Sequence, residues 1–383
     1  MTVGIDISSI PYGRGVSRYT ANLVRSLLPQ KNLDLSLYGS SFRQKKALQQ
    51  FVSQLKHQPF NHSVIQSWPP SLLATLWQFG LNPISKQLPN LDVFHSWDWL
   101  QPPDKNLPLV STIHDLAIIK YPETAHPQIL KMHERAWKIL RERQAEIIAV
   151  SNSTKADIIK YLEIPGSQIH VIYEALPTET VQTAENLTEE KYEQLKKKLK
   201  LEKPYLFFVG TREPRKNLAK LIKAWQPLTK DYELIIAGEA GWDETAGKQN
   251  SSSLILNPQF SPRYLGRVSD EELVVLYSEA EVFCYPSLYE GFGLPILEAF
   301  YHGTPVITSN VGSMPEVAGN AAELVNPNSV EDIRAGIEKI LNESKLKQQE
   351  RLKKMIIRLH QFSWDKVARE TIAVYEQAVY KSK

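Results

Sequence analysis

Short apolar runs rich in β-branched residues alternate with amphipathic stretches along the first half of the chain. The runs that predict strands are Val3–Ile7, Leu33–Tyr38, Val93–Ser96, Leu109–Ile113, Ile147–Val150 and His170–Tyr173. The stretches that predict helices are Val16–Leu28, Gln128–Arg143 and Thr154–Leu162. Because strands that alternate with helices form parallel sheets covered on both faces, this pattern predicts a doubly wound α/β domain.

A charged segment of low apolar content, Thr178–Lys203, interrupts the alternation and predicts an exposed helix at a domain boundary. The alternation then restarts. Further strands are predicted at Tyr205–Gly210, Glu233–Gly238, Tyr264–Leu265, Val282–Tyr285 and Pro305–Thr308. Further helices are predicted at Asn217–Leu228, Asp270–Ser278, Val330–Leu341, Lys345–Arg358 and Trp364–Val379.

The fold class predicted from this pattern is α/β, with two doubly wound domains at residues 1–185 and 200–363. Ligands of such sheets bind outside the carboxyl ends of the strands. We therefore expect a cleft between the two domains, lined by the loops that follow the strands.

Composition agrees with a globular protein of two domains, since 42% of the 383 residues are hydrophobic and 23% are charged. The single cysteine, Cys284, lies in an apolar run, which predicts a buried strand thiol and excludes an internal disulfide. The chain begins with a predicted strand rather than a secretory signal, and no apolar run reaches the ~20 residues that span a bilayer. These features predict a cytoplasmic protein.

Charge is distributed unevenly along the chain. Residues 1–173 carry 18 Lys and Arg against 12 Asp and Glu, whereas the remainder carries 27 against 30. The basic first half predicts an anionic partner, either phosphate groups or an anionic membrane surface. The excess is too small to predict nucleic-acid binding, which typically shows a clustered basic stripe.

Two carboxylates eight residues apart, Glu290 and Glu298, flank a glycine-rich turn. Gly291 and Gly293 allow the backbone to approach a ligand closely. Pro295 suits the first position of a short helix, which places Glu298 in the first turn and Glu290 in the preceding loop. Because helix N-termini attract anions, the segment predicts a site for a ligand with a phosphate and several hydroxyls. The alternative is a solvated loop glutamate followed by a glutamate that complements the helix dipole.

Three cations, Arg212, Arg215 and Lys216, cluster where the predicted helix at Asn217 begins. Positive charge at a helix N-terminus is unfavourable, and the sequence shows no compensating group. A bound pyrophosphate would compensate for these charges. A solvated cationic loop is the alternative.

Two loops of the first half carry weaker signals. Gly13 and Gly15 follow the first strand and permit a tight turn near a phosphate, although the third glycine of the dinucleotide fingerprint is missing. His114 ends an apolar strand and precedes Asp115. This position predicts either a histidine that hydrogen-bonds a sugar hydroxyl or a histidine with a structural role. In the second half, Ser269 and the acidic residues after it predict a helix cap.

Several common motifs are absent from the sequence. There is no G-x-x-x-x-G-K-[ST] loop and no G-x-S-x-G elbow, which argues against a P-loop nucleotidase and an α/β-hydrolase. The nine histidines are scattered and no D-x-D pair is present, so no metal site is predicted.

Taken together, these motifs resemble the retaining glycosyltransferases of family 4, also described as glycosyl transferases group 1. The resemblance rests, in chain order, on the G-x-G loop, T-I-H-D, G-T-x-E-P-R-K-N and E-G-F-G-L-P-x-x-E, and it covers essentially the whole chain. It implies the GT-B fold, in which two Rossmann-like domains face a central cleft. The N-terminal domain would bind the acceptor, the C-terminal domain would bind the donor, and the helix at residues 364–383 would return to the N-terminal domain.

The resemblance also implies roles for the charged residues. Glu298 would bind the ribose hydroxyls of a nucleotide, and Glu290 would bind hydroxyls of the donor sugar. Lys216, with Arg215 or Arg212, would hold the diphosphate. In this sequence Thr211 takes the place of an arginine found in the G-R-x-x-E-P-R-K variant, and the spacing is one residue shorter. Which arginine partners Lys216 therefore stays open.

Other roles implied by the resemblance fall on backbone groups and on the first half. The backbone around Gly291, Phe292, Gly293 and Leu294 would face the sugar and phosphate. Gly13 and Gly15 would approach the distal phosphate, His114 would line the sugar site, and the backbone near Val268 would contact the base.

The activity implied is transfer of glucose or mannose from a UDP- or GDP-linked sugar to a glycan or lipid-linked acceptor in polysaccharide biosynthesis. The family implies retention of the anomeric configuration, no metal and no cofactor. Two alternatives remain open: a nucleotide-sugar epimerase of the same fold, and a non-catalytic sugar-nucleotide-binding subunit.

The apolar and aromatic segment Trp68–Phe79 lies in the basic half of the chain. It fits a peripheral contact with the inner face of the membrane, a buried helix or an acceptor-site loop.

Overall fold

The computed structural model describes residues 1–13, 15–55, 60, 62–124, 126–241 and 261–382. These residues form two compact units. Unit 1 comprises Met1–Pro177 and Ser363–Lys383, and unit 2 comprises Thr178–Phe362. The division lies eight residues before the predicted boundary at residue 185.

Unit 1 is built on a parallel sheet with helices between its strands. Its strands are β1 (Thr2–Asp6), β2 (Asp34–Ser40), β3 (His62–Gln66), β4 (Val93–Trp97), β5 (Leu109–Ile113), β6 (Glu146–Ala149) and β7 (Ile169–Val171). Its helices are α1 (Gly15–Leu27), α2 (Lys45–Gln54), α3 (Pro70–Gln78), α4 (Ile84–Gln87), α5 (Ala117–Lys120), α6 (Pro127–Glu142) and α7 (Asn152–Asp157), which a π-helical turn extends over Ile158–Leu162.

Unit 2 repeats the same architecture. Its strands are β8 (Tyr205–Val209), β9 (Glu233–Ala237), β10 (Arg263–Gly266), β11 (Val282–Tyr285), β12 (Val306–Ser309) and β13 (Glu323–Val325). Its described helices are α8 (Thr178–Asn186), α9 (Glu189–Lys198), α10 (Leu218–Trp225), α11 (Asp270–Ser278), α12 (Leu294–Tyr301), α13 (Met314–Ala318), α14 (Val330–Leu341) and α15 (Lys345–Leu359). The last helix of the chain, α16 (Trp364–Lys381), belongs to unit 1.

Each sheet reverses its strand order once. The order is β3-β2-β1-β4-β5-β6-β7 in unit 1 and β10-β9-β8-β11-β12-β13 in unit 2. The described strand pairs within these sheets are parallel. The reversals lie between β1 and β4 and between β8 and β11, and crevices at such points are the usual ligand sites of open α/β sheets.

Most elements agree with the sequence pattern, but two strands were missed. β3 and β13 are the edge strands next to β2 and β12. β3 is exposed or half-buried throughout, and β13 buries only Val325. An edge strand covered on part of its surface does not need the apolar run by which a central strand is recognised. The segment Thr178–Lys203 contains two helices, α8 and α9, where one was predicted.

Helix α16 is fixed to unit 1 by buried polar contacts. The Tyr375 hydroxyl lies 2.7 Å from Nδ1 of His95 on β4, and both side chains are fully buried. At the helix start, Nε1 of Trp364 donates to the carbonyl of Leu176 at 2.9 Å. The Trp364 ring also contacts the Tyr19 ring of α1. The C-terminal helix therefore completes unit 1, as the fold class implied.

Candidate functional site

The strand order of unit 2 brings the two strongest sequence motifs to one place. β8 leads into the turn that carries Arg215 and Lys216, and β11 leads into the loop that carries Glu290. β8 and β11 are neighbours, and the order of the sheet reverses between them. Residues separated by more than 70 positions thus meet at the carboxyl edge of the sheet.

The backbone after β8 forms a tight turn that carries Arg215 and Lys216. Pro214–Lys216 forms one turn of 3-10 helix, and Asn217 follows in the left-handed conformation with φ of 61°. The Asn217 amide donates to the carbonyls of Pro286 and Pro327 at 2.9 and 2.7 Å. Asparagine tolerates this backbone conformation better than most residues. Asn217 therefore links the turn to the loop after β11.

Glu290 is bound by both cations of the turn. Nζ of Lys216 donates to Oε1 of Glu290 at 2.6 Å, and Arg215 donates to Oε2 at 2.8 Å. Nζ of Lys216 also donates to the Tyr285 hydroxyl at 2.8 Å. Arg215 forms a second ion pair with Glu213 at 2.7 Å. Lys216 and Glu290 are 8% and 7% exposed, so the cluster is a buried ion network rather than a solvated loop.

The electrostatics of the cluster keep Glu290 ionised. Burial alone would raise the pKa of Glu290, but the Lys216 ammonium and the Arg215 guanidinium outweigh burial and lower that pKa to about 2. Burial lowers the pKa of Lys216, and the attraction of Glu290 opposes this shift. Breaking such a buried pair from one side leaves an uncompensated charge, which is strongly destabilising.

One sequence prediction about this cluster was wrong, and one open alternative is resolved. Arg215 and Lys216 do not lie uncompensated at a helix N-terminus, because Glu290 and Glu213 neutralise them and a separate turn carries them ahead of α10. Of the two candidate arginines, Arg215 shares the carboxylate with Lys216. The Arg212 guanidinium lies over the Tyr264 ring at 5.1 Å, and its buried Nε has no hydrogen-bond partner among the described residues.

The loop after β11 is anchored by one buried serine. The Ser313 hydroxyl lies 2.9 Å from the carbonyl of Glu290 and 2.7 Å from that of Phe292. Gly293 has φ of 117°, a conformation that L side chains rarely adopt, and α12 begins directly after it at Leu294. The N-terminus of α12, whose first N–H groups have no acceptor within the helix, thus lies close behind Glu290.

The position predicted for Glu298 was also wrong. Because α12 starts at Leu294, Pro295 takes its second position and Glu298 its fifth, in the second turn. The predicted length of roughly eight residues is confirmed. Oε2 of Glu298 accepts a hydrogen bond of 2.9 Å from the Tyr277 hydroxyl, and Glu298 is buried. Glu298 is held by α11 and does not belong to the ion network of Glu290.

Val268 follows β10 and is half-buried. Directly after it, Ser269 and Glu272 form a reciprocal capping box at the start of α11. The cap predicted from the sequence is therefore confirmed. The backbone role of Val268 toward a base stays a prediction.

In unit 1, His114 and the glycine loop lie near the ends of β5 and β1. Gly13 has φ of 64° and requires glycine, whereas Gly15 opens α1 and faces open space; Arg14 lies outside the described residues. Nδ1 of His114 lies 2.9 Å from Oε1 of Glu174, and its buried Nε2 has no partner within the described chain. The His114 ring contacts the ring of Tyr19 on α1 at 4.8 Å. Tyr19, in the second turn of α1, and His114 thus lie close together.

Sequence analysis missed four residues that hold these groups. They are Glu174 for His114, Tyr285 for Lys216, Tyr277 for Glu298 and Ser313 for the Glu290 loop. Tyr285 ends a predicted strand, and Glu174 directly follows one. In a parallel sheet such positions lie at the carboxyl edge, where ligands bind, so the sequence marks both residues as candidates. Tyr277 and Ser313 lie in ordinary helical or loop contexts, and only the tertiary contact identifies them.

The part of the chain that the structure describes contains neither a cluster of metal-ligating side chains nor a helix that could cross a membrane. No group of three or more His, Cys, Asp or Glu side chains is arranged to hold a metal ion. No described helix is both long and apolar enough to cross a bilayer. Cys284 is buried on β11, which confirms the prediction of a strand thiol, and burial raises its pKa.

Comparison with known proteins identifies the family. Residues 13–180 match the family described as Glycosyltransferase Family 4, and residues 190–358 match the one described as Glycosyl transferases group 1. O-antigen chain mannosyltransferase B of Escherichia coli is 33% identical over 266 residues, which cover 68% of this chain and 68% of that protein. The chain belongs to the family 4 glycosyltransferases.

Solved structures of glycosyltransferases share the fold. A glycosyltransferase from Rickettsia africae ESF-5 has a TM-score of 0.72 at 18% identity, over 99% of this chain and 98% of its own. Anabaena Alr3699/HepE, crystallised with UDP and glucose, has a TM-score of 0.71 at 16% identity, over 98% of this chain and 100% of its own. At such identities the likeness shows the fold alone. The fold of this glycosyltransferase is GT-B, which confirms the predicted class.

Proposed function

We propose that this glycosyltransferase is a retaining, metal-independent hexosyltransferase that uses a nucleoside-diphosphate sugar as donor. The acceptor is a glycan or a lipid-linked saccharide in polysaccharide biosynthesis. The observation that carries the proposal is the buried Lys216–Glu290–Arg215 network at the strand reversal of unit 2. The mannosyltransferase relative favours mannose as the transferred hexose. The HepE complex with UDP and glucose supports a nucleoside diphosphate as the leaving group.

The network supplies what departure of a nucleoside diphosphate requires. As the sugar leaves, negative charge develops on the β-phosphate, and the Lys216 ammonium and Arg215 guanidinium would stabilise that charge. Glu290 aligns both cations before any ligand arrives, so less reorganisation is needed during the reaction. Because two fixed cations already oppose the developing charge, no divalent metal is required in this proposal.

Glu298 and the remaining residues take binding roles in the proposed donor complex. Glu298, whose Oε2 accepts a hydrogen bond from the Tyr277 hydroxyl, binds ribose hydroxyls, because carboxylate oxygens accept hydrogen bonds from hydroxyl groups. The backbone from Gly291 to Leu294 faces the sugar and phosphate at the N-terminus of α12. In this complex Arg212 and the backbone of Val268 lie next to the nucleobase of the donor. Gly13 and Gly15 approach the distal phosphate.

His114 contacts the donor sugar in this proposal, and Glu174 positions it. An Nδ1–H that donates to Glu174 leaves the electron pair of His114 on Nε2, where it accepts a hydrogen bond from a sugar hydroxyl. Neither Glu290 nor Glu298 acts as an acid or base. The departing phosphate deprotonates the acceptor hydroxyl on the face from which it leaves, so the anomeric configuration is retained.

The proposal is tested by measuring nucleoside diphosphate released from a donor panel that includes GDP-mannose and UDP-glucose, with a glycan acceptor present. We expect release from one of them, unchanged by EDTA, and a product that keeps the donor's anomeric configuration by NMR. Loss of activity in EDTA would disprove metal independence. Isomerised donor formed without acceptor would identify an epimerase, and binding by calorimetry without turnover would identify a non-catalytic subunit.

Replacing Glu174 by glutamine is expected to lower kcat by about 10- to 100-fold, because His114 loses the carboxylate that fixes its orientation. The dissociation constant of the free nucleotide, measured by calorimetry, should not change, since the proposed nucleotide site lies in unit 2. The matched control is Glu163→Gln, at an exposed glutamate of unit 1. An equal fall in nucleotide affinity would contradict the assigned role of Glu174.

A further inference from the structure

A long groove runs along unit 1 outside the residues discussed so far. Helices α3 and α6 form its walls, and the segment 99–105 after β4 lines it as well. Its volume is about 1340 Å³, larger than the roughly 300–1,000 Å³ of pockets for drug-sized ligands. Apolar side chains dominate the lining, with Ala74 and Trp77 on α3, Ile129 and Met132 on α6, and Trp99 and Leu100 between them.

The groove is preformed by contacts that fix its walls. Nε1 of Trp77 donates to the carbonyl of Asn82 at 3.0 Å. The Arg143 guanidinium donates to the carbonyls of Pro102, Asp104 and Leu107. The Asp104 carboxylate in turn accepts bonds from the first backbone N–H groups of α4. A ligand would therefore meet a shaped apolar surface rather than one that must first be ordered.

Positive charge lines the groove without matching negative charge. Lys105, Lys131 and Arg135 are exposed, and none of them forms an ion pair with a carboxylate among the residues that the structure describes. The one lining carboxylate, Glu142, lies 3.7 Å from Lys138, which is outside the groove. An apolar channel with unpaired cations is complementary to an amphiphile that carries an anionic head.

Ring contacts connect the groove to His114. The Trp99 ring stacks on the Trp97 ring with centroids 6.1 Å apart, and the Trp97 ring stacks on that of His114, also at 6.1 Å. Asp98, between the two tryptophans in the chain, lies 3.4 Å from His133 on α6. One part of the groove is thus two aromatic rings away from a residue assigned to the donor sugar.

We propose that this groove binds the lipid phosphate of the acceptor, a saccharide joined through phosphate to an apolar chain. The inference rests on the proposed function and specifies its acceptor class. The apolar chain lies along Trp77, Trp99 and Met132, and the phosphate lies against Lys131 and Arg135. A concave channel suits one inserted chain, whereas a bilayer surface would contact convex side chains such as Phe79, which is 72% exposed.

The test uses dodecyl phosphate as the probe, below its micellar concentration, with calorimetry on the full chain. Dodecyl maltoside, of equal chain length and without charge, and inorganic phosphate are the comparison ligands. We expect dodecyl phosphate to bind at least about tenfold more tightly than either. The double variant Lys131→Glu/Arg135→Glu should lower that affinity by about tenfold or more, and Ala74→Trp should weaken both amphiphiles by obstructing the channel. The control Lys46→Glu, at an exposed lysine of α2 outside the groove, should bind like the wild type.

Three results would overturn the proposal. These are equal affinities for the charged and uncharged amphiphiles, an unchanged affinity in the double variant, and co-sedimentation with anionic vesicles without binding of monomeric dodecyl phosphate. The third result would indicate a bilayer surface. UDP and GDP binding is measured on the same wild-type protein. If neither nucleotide binds, the proposed function is disproved independently of the result for the groove.

Discussion

Replacing Lys216 by alanine is expected to lower kcat for sugar transfer by about 100- to 1,000-fold, the usual effect of removing one donor that stabilises developing charge. Lys216 is buried and lies 2.6 Å from Glu290, so its ammonium is held in place before the donor binds. Without it, the charge on the departing β-phosphate is opposed by Arg215 alone. The measurement is nucleoside diphosphate release under saturating donor.

The same substitution is expected to destabilise unit 2, because Glu290 keeps only one of its two cations. Breaking a buried pair from one side costs about 3–5 kcal/mol. Loss of folding would obscure the kinetic effect, so Lys216→Met/Glu290→Gln, which removes both charges, serves as a second variant. Lys223→Ala, at an exposed lysine of α10, is the matched control. A folded Lys216→Ala protein with wild-type kcat would rule out the assigned role of Lys216.

Replacing Glu290 by glutamine is expected to reduce both activity and stability, and the loss of stability should depend on pH. The pKa of Glu290 falls from an ordinary value of 4.5 to about 2 in the folded protein. A carboxyl group whose pKa is lowered by folding stabilises the folded protein at pH values above its pKa in the unfolded chain. This stabilisation is lost as the pH falls toward its pKa in the folded protein. The shift corresponds to about 3 kcal/mol at neutral pH.

The difference in free energy of unfolding between wild type and Glu290→Gln should therefore shrink by about 2 kcal/mol between pH 6 and pH 3. Urea unfolding followed by circular dichroism at several pH values measures it. Glu271→Gln, at an exposed glutamate of α11, is the control and should show no such change. A constant difference across this pH range would show that the ion network does not hold Glu290 ionised.

The sequence predicted the elements that are buried on both faces and the residues of the ion network. Central strands such as β5 and β11 are buried throughout, and their predicted bounds agree with the structure. The cap of α11 was predicted because a Ser side chain and a Glu three residues later satisfy each other locally. Features of this kind depend on neighbours in the chain, so a single sequence reveals them.

The errors arose where long-range contacts decide the outcome. The cations near Asn217 appeared uncompensated because their partner, Glu290, is more than 70 positions away in the chain. Glu298 was placed in the first turn of α12 rather than at its fifth position, because Gly293 adopts a left-handed conformation and α12 starts one residue sooner. Glu174 was missed because its only mark in the sequence is a position shortly after the short strand β7.

The sequence by itself determined that two doubly wound domains exist, and it named the charged residues of the ion network, because apolar periodicity and glycine- or proline-bounded motifs are local. Only the tertiary structure decided how those groups are paired. The reversal between β8 and β11 brings Lys216 to Glu290, and α3 and α6 form a groove from segments more than 40 residues apart. Strand order and helix packing are set by the burial of whole faces, which no local pattern encodes.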